Sequence, residues 1–420
     1  MRQRIRPLAA AALASALIFA LVSARAAAEY GFVDKLAAEG LLGVPLAEAR
    51  AIESKVGQLF VVNVDGYGYG GPLALAPGYV ALVKRLQVGG VIPHYGSTDI
   101  ERIRRTNQAL AAMTKEPLLI CCDIVRLSGK AGRTARFGDG YVGGFIGRFR
   151  GLSDPDYQSL ASLNAFVFSA LGINIALGPT VDDSTSDPRT AARSRVVIAE
   201  LKRFGIEPVL KHFPFLPRGA NLHRESPDTK VALRIVEKRT GIFKELAGES
   251  GILMTTHLQD SLVDSRVVTF SPPWIDILHR QTGFKGLLIT DGLLMLSNYL
   301  TPNDSTSWAL RAVLAGHDLL IVEGSAATTY RTFEGLLRVA CGNTEAGRLL
   351  REKIESAAAR IAQFKKRNEK LLRRQVDVPP AAISDIVSLV PADGADPAAF
   401  RFDQAALNRV EKDLQRFSLR

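Results

Sequence analysis

The chain has 420 residues, of which 47% are hydrophobic and 23% charged, and a formal net charge of +11. That is enough for one large domain or two ordinary ones, with the balance of a globular protein rather than a disordered or fibrous one. The positive charge is spread along the chain, which speaks against a nucleic-acid site and suits a wall, envelope or polyanion setting.

At the N-terminus, Arg2, Arg4 and Arg6 precede an apolar run over residues 8–22, followed by small residues to Ala28. A basic start, a short apolar centre and an A-x-A step describe a secretory signal peptide over residues 1–28. Ala24-Arg25-Ala26 and Ala26-Ala27-Ala28 both offer that step. An uncleaved anchor is the other reading, because a run of this length can span a bilayer, if with strain. Cleavage removes four arginines, at 2, 4, 6 and 25, and lowers the formal charge to +7. The expectation is an exported, periplasmic or extracellular protein with no stable membrane span once the signal is cleaved.

From about residue 50 to 340, short apolar runs alternate with longer helical stretches. The runs are 58–63, 90–93, 118–122, 173–177, 207–210, 251–255, 286–290 and 318–322. Such alternation predicts a parallel α/β sheet, and eight units predict a closed (β/α)8 TIM barrel over residues 29–342. Run length alone leaves an open doubly wound sheet as the alternative. Polar residues follow nearly every run: Asn63, Asp65, His94, Asp123, Asp182, Lys211, His212, His257, Asp291 and Glu323. A barrel gathers such strand ends on one face. Five of the six histidines are read on or shortly after these ends, with His279 in a helical segment.

Residues 343–420 read as a C-terminal helical extension. A long amphipathic helix spans 345–374, with Leu349, Leu350, Ile354, Ala358, Ile361 and Phe364 at helical spacing. Its basic stretch from Lys365 to Arg374 reads as a solvated face, Pro379 and Pro380 end it, and a short helix follows at 403–417. Cys121 and Cys122 are predicted to point to opposite faces of a strand. Three cysteines make no disulfide framework, and no metal-ligand spacing accompanies them, so neither metal nor cofactor is expected.

Several residues at the run ends carry two readings each. Asp291 is either a nucleophile or a helix N-cap. Lys211 and His212 bind hydroxyls or phosphates, or pair with nearby carboxylates. Arg193, farther along the chain than the 173–177 run, reads as an ion pair with Asp182, Asp183 or Asp187. Tyr67-Gly68-Tyr69-Gly70-Gly71 is an aromatic rim or an ordinary loop. Gly316 and Gly324-Ser325 are the only material for a phosphate cradle after the seventh or eighth strand, which a phosphate-binding barrel enzyme needs.

A set of short motifs appears in a fixed order. Gly89-Gly90-Val91-Ile92 is similar to G-G-V-I-L-F, and Pro117-Leu118-Leu119-Ile120 through Asp123 to P-L-L-I-A-x-D. Gly172-Ile173-Asn174 through Pro179-Thr180-Val181-Asp182 is similar to G-I-N-x-x-x-x-P-V-x-D, and Arg193-Ser194 to a later R-S. Lys211-His212-Phe213-Pro214 matches K-H-F-P, and His223 the histidine of D-S-H. Met254 to His257, Asp264 and Thr269-Phe270-Ser271 follow in order, then Gly283 to Met295, which is similar to G-F-x-G-x-x-x-T-D-A-L-x-M. As an ordered set, over roughly residues 50 to 325, these resemble glycoside hydrolase family 3, in particular its β-N-acetylglucosaminidase branch.

The resemblance implies a retaining β-glycosidase acting on a carbohydrate substrate or cell-wall fragment. Asp291 takes the nucleophile's place and His223 the acid/base's. Asp123, Lys211, His212, Arg193 and His257 take those of sugar-binding residues. The chain also departs from the pattern. Asn221-Leu222-His223 stands where the family has D-S-H, so the histidine lacks the carboxylate that fixes its tautomer and stabilises its cation; Glu225 lies two residues on. Ile124 to Gly129 replaces Q-E-G-G-R-V, and Phe215-Leu216-Pro217 replaces G-H-G. These departures motivate the alternative of a catalytically impaired barrel that binds sugar or wall polymer.

Overall fold

The computed structural model describes residues 31–64, 77–93, 99–128, 134–138, 152–182, 189–216, 228–231, 233–298, 300, 304–374, 378–390 and 402–414. Residues 1–28, read as a signal, Asp65, the 67–71 stretch, His94, Asp183, Asp187 and the stretch bearing Asn221, His223 and Glu225 lie outside them. Eight short strands carry the fold: β1 Phe60–Asn63, β2 Gly90–Ile92, β3 Leu119–Cys122, β4 Ile175–Ala176, β5 Glu207–Phe213, β6 Ile252–Thr255, β7 Leu287–Thr290 and β8 Leu320–Val322. All are parallel and pair in chain order, with Val61 opposite Gly90, Cys121 opposite Ile175 and Leu210 opposite Leu253. β8 returns to β1 through Phe60 and Leu320, and to β7 through an Ile289–Leu319 bridge. There the Thr290 N–H donates to the Leu319 carbonyl, and the Ile321 N–H to Thr290 Oγ1. The sheet therefore closes into a (β/α)8 barrel, and the open-sheet alternative falls.

A helix follows each strand: α1 Pro77–Leu86, α2 Ile100–Ala111, α3 Asp154–Ala170, α4 Thr190–Arg203, α5 Leu233–Leu246, α6 Pro272–Thr282, α7 Ser305–Ala315 and α8 Ala326–Cys341. Their starts carry the residue types that satisfy orphan N–H groups. Asp99, Ser153, Ser271, Asp304 and Ser325 each accept a backbone N–H of the following turn, worth about 1 kcal/mol apiece. Gly316, at φ 119°, is the left-handed cap that ends α7, and Ser325 is the N-cap of α8. The candidate phosphate cradle is thus made of helix caps. Apart from half-buried His212, every barrel-strand residue is buried. Cys121 and Cys122 enter different apolar clusters, on opposite faces as the pleat requires, and burial pushes the Cys121 thiol up to about 12.

The C-terminal extension closes the floor of the barrel. Helix α9, Glu345–Arg367, turns Leu350, Ile354, Ala357, Ile361 and Phe364 inward. Leu349, expected on that stripe, is exposed, and Ala357 rather than Ala358 is buried. Lys365 also departs from the solvated-face reading. Its amine is buried and donates to Gln58 Oε1 (2.8 Å) and the Gly89 carbonyl (3.0 Å), beneath the starts of β1 and β2. Burial lowers its pKa to about 7. Nearby, Arg360 pairs with Asp318 at the start of β8. Pro380 does more than end a helix; it occupies the first turn of a new one, α10 Pro380–Leu389, where its missing N–H costs nothing. Helix α11, Gln404–Leu414, lies within the expected 403–417. No described helix is long and apolar enough to cross a membrane.

Two antiparallel hairpins interrupt the alternation and were not foreseen in the sequence. One, Ile124–Ser128 with Thr134–Gly138, follows directly on Asp123. The other, Gln259–Asp260 with Asp264–Val267, follows β6. One histidine also falls elsewhere than read. His317 precedes β8 rather than following a strand; its Nδ1–H donates to the Ala312 carbonyl and its Nε2 meets Thr255 Oγ1 at 2.8 Å. Burial lowers its pKa to about 4.

The buried Lys365 amine gives a test of the floor. Its folded pKa lies below the unfolded value of 10.5, so as pH falls the unfolded chain takes up the proton first. The amine's contribution to stability is therefore full above pH 10.5 and lost as pH falls towards 7. The urea midpoint of the native chain should rise with pH across this window more steeply than that of Lys365→Met; equal slopes would contradict the buried neutral amine.

Candidate active site

Because all eight strands are parallel, their C-terminal ends bring distant residues to one face. Asp123 follows β3, Asp182 follows β4, Lys211 and His212 end β5, His257 follows β6, Asp291 follows β7 and Glu323 follows β8. Lys211 Nζ donates to Asp123 Oδ1 at 2.6 Å. The lysine is buried at its strand end, whereas the Asp123 side chain is 42% exposed and faces the opening. The pair joins two of the predicted sugar-binding residues.

Asp291 stands at the centre of this face. Its Oδ1 accepts the N–H of the next residue, Gly292, at 2.7 Å; the 3-10 helix that follows begins only at Leu293, so this bond is not the helix N-cap the sequence also offered. The other, Oδ2, lies 3.9 Å from His212 Nε2. His212 Nδ1–H in turn donates to Asp182 Oδ2 at 2.8 Å. Asp182 is buried, and its second oxygen has no hydrogen-bond partner among the described residues. A buried carboxylate in that position needs a charge partner, and the imidazole is placed to supply it. Burial opposes a charged His212, but Asp182, by charge and hydrogen bond, and then Asp291 outweigh it against Lys211, and the pKa is raised. For Asp291, burial likewise favours the neutral acid. The fields of His212 and His257, the Gly292 N–H and Lys211 overcome it and hold the carboxyl below its ordinary range. The result is a carboxyl held towards its ionised form beside an imidazole whose cationic form two acids favour, at the mouth of a barrel. It can attack an electrophilic carbon or stabilise a cationic one.

His257 and Arg193 are both buried rather than open to the face. His257 is fully buried: its Nε2–H donates to the Gly292 carbonyl (2.9 Å) and its Nδ1 meets Thr269 Oγ1 (2.6 Å). It braces the backbone just after Asp291 instead of offering a nitrogen to the pocket. Arg193 is buried on α4. It donates to the Leu152 carbonyl, stacks on the Tyr157 ring and has Asp154 at 3.9 Å. Asp154 was not foreseen as a partner, and two of the three acids that were, Asp183 and Asp187, lie outside the described residues.

Sequence reasoning passed over Asp182 as the partner of His212, Thr269 as the anchor of His257, and Glu323. A Cβ at position 292 would overlap the Glu323 carboxylate, so the alanine of the family motif would require that side chain to shift. Asn63, at the end of β1, is fully buried with neither amide atom partnered among the described residues. The signal for each was its place at or near a strand end. Among the described residues no group of three His, Cys, Asp or Glu could hold a metal ion.

Comparison with known proteins follows the same outline. The family model described as "Glycosyl hydrolase family 3 N terminal domain" matches residues 51–364. Beta-hexosaminidase A of Pseudoalteromonas piscicida is 24% identical over 339 residues, covering 69% of this chain and 55% of that protein. This chain thus spans about half the length of that relative. Beta-hexosaminidase of Nitrosomonas eutropha is 28% identical over 268 residues, covering 56% of this chain and 73% of that one. Among solved structures, β-N-acetylhexosaminidase from Beutenbergia cavernae superposes with a TM-score of 0.61 at 20% identity, covering 75% of this chain and 98% of that chain. This last likeness is one of fold.

If Asp182 holds the proton on His212, Asp182→Asn should lower the His212 titration midpoint, followed by NMR of the imidazole protons. An unchanged midpoint would assign the proton to another cause.

Proposed function

The chain belongs to glycosyl hydrolase family 3, and from that premise we propose that it is an exported retaining β-glycosidase of the β-N-acetylhexosaminidase kind, acting on cell-wall or oligosaccharide fragments. The observation that carries this reading is the ionised Asp291 carboxylate at the end of β7, 3.9 Å from a His212 ring that is itself tied to Asp182. Asp291 attacks the anomeric carbon and forms a glycosyl-enzyme. His223 protonates the leaving oxygen and then takes a proton from the water that releases the sugar. Lys211, His212 and Asp123 bind ring hydroxyls. His257 steadies Gly292, and with it the direction of Asp291. The basic, apolar N-terminal segment supports export.

A second reading, a barrel that binds sugar or wall polymer without cleaving it, draws on two observations. Asn221 replaces the acid that would pair with His223, and a hairpin replaces the glycine loop after Asp123. One experiment separates the two: a panel of aryl β-glycosides, including the N-acetyl-β-glucosaminide, offered to residues 29–420 and to Asp291→Ala. The first reading predicts turnover that falls on the order of a thousandfold or more in the variant. No turnover on any glycoside, with wall fragments still retained, leaves the binding reading.

A further inference from the structure

The hairpin after Asp123 belongs to no larger sheet. Among the described residues its two five-residue strands pair only with each other, Leu127 opposite Ala135 and Val125 opposite Phe137. A lone two-stranded ribbon is marginal in water, so something else must hold it. It is held between barrel helix α3, which packs on the Thr134–Gly138 strand, and the C-terminal extension, which packs on both strands. Leu127, Ala135 and Phe137 are buried in one apolar cluster with Val378, Ile383, Ile386, Val387 and Val390. Ile383, Ile386, Val387 and Val390 recur at i, i+3, i+4 and i+7, so α10 lays a single stripe on the ribbon. Helix α10 also packs on α2 and α3. Polar tethers fix the unit to the barrel. Arg104 donates to the Val378 carbonyl at 2.9 Å, and Gln404 of α11 to Asp156 at 3.1 Å.

Both partners stand outside the common pattern. The ribbon occupies the place of the family's Q-E-G-G-R-V, and α10 and α11 lie beyond the matched residues 51–364. The ribbon begins one residue after Asp123, whose carboxylate meets Lys211 in the site. We propose that the segment from Val378 to α11 is a positioning element of the substrate site: by clamping the ribbon it fixes Asp123 against Lys211, and so sets how tightly the pocket grips a sugar. It touches no reacting atom. The inference rests on Asp123 as a sugar ligand, but not on Asp291 as a nucleophile.

The test uses the full chain carrying Val387→Asp, which puts a charge into the buried stripe, with Ala381→Asp on the exposed face of α10 as control. Hydrogen exchange is followed in the ribbon, residues 124–138, and in β6 and β7. KM and kcat are measured on an aryl N-acetyl-β-glucosaminide, and the Kd of N-acetylglucosamine is measured in parallel, which reports the site even in a chain that turns nothing over. The expected result is faster exchange confined to the ribbon, with KM or Kd raised about tenfold and kcat changed far less. The control should behave as the native chain. Unchanged ribbon exchange in Val387→Asp would show that the extension does not hold it. A loosened ribbon with unchanged KM and Kd would show a purely structural clamp, and either outcome overturns the proposal. Sugar binding without turnover would remove only the glycosidase reading; neither binding nor turnover in the native chain would remove both.

Discussion

The chain of charges Asp182–His212–Asp291 is the interaction on which the site depends. A buried aspartate with one oxygen unpartnered among the described residues favours the protonated imidazole. The imidazole in turn favours the ionised form of Asp291, against the opposing effect of burial. Three strand ends supply the three groups, so the arrangement exists only when the barrel is closed and in register. A one-residue slip of β5 would point His212 away and put Lys211 or Phe213 in its place. The proposed nucleophile thus owes its charge to the register of strands far from it in sequence.

That register is held from below as well as from the sides. Helix α9 reaches under the barrel, where Arg360 ties to Asp318 and the Lys365 amine to Gln58 and Gly89. Above, His257 and Thr269 fix the Gly292 carbonyl behind Asp291, and Gly292 leaves room for the Glu323 carboxylate. The backbone beside Asp291 is therefore braced by His257, which follows β6, and through it by Thr269. Bracing of this kind sets geometry in advance and leaves little to be ordered when a substrate arrives.

The barrel was legible because parallel strands buried on both faces read as short apolar runs, and eight of them were spaced by helices. All eight runs became strands, although β4 keeps only two residues and β5 extends three residues past its run, to Phe213. Asp123, Lys211, His212 and Asp291 do meet at the strand ends. The placements of His257 and Arg193 were not legible, because a motif fixes the position of a residue but not which way its side chain satisfies its hydrogen bonds. Lys365 was misread for a related reason: within a basic run, only tertiary contact tells the one buried amine from its solvated neighbours. The ribbon at 124–138 was invisible because its partner stripe lies some 250 residues later in the sequence, and a two-stranded element without that cover has no pattern of its own.

The most direct test of the account asks whether Asp291 becomes covalently attached to sugar. The protein would be incubated with a fluorinated aryl glycoside that forms the glycosyl-enzyme quickly and releases it slowly, and the tryptic peptide 286–311 would be weighed by mass spectrometry. The account predicts a mass increase of one sugar residue on this peptide, located at Asp291 by fragmentation and absent from Asp291→Ala. Turnover of ordinary glycosides with the label on another carboxylate, or with no label retained under any condition, would contradict it.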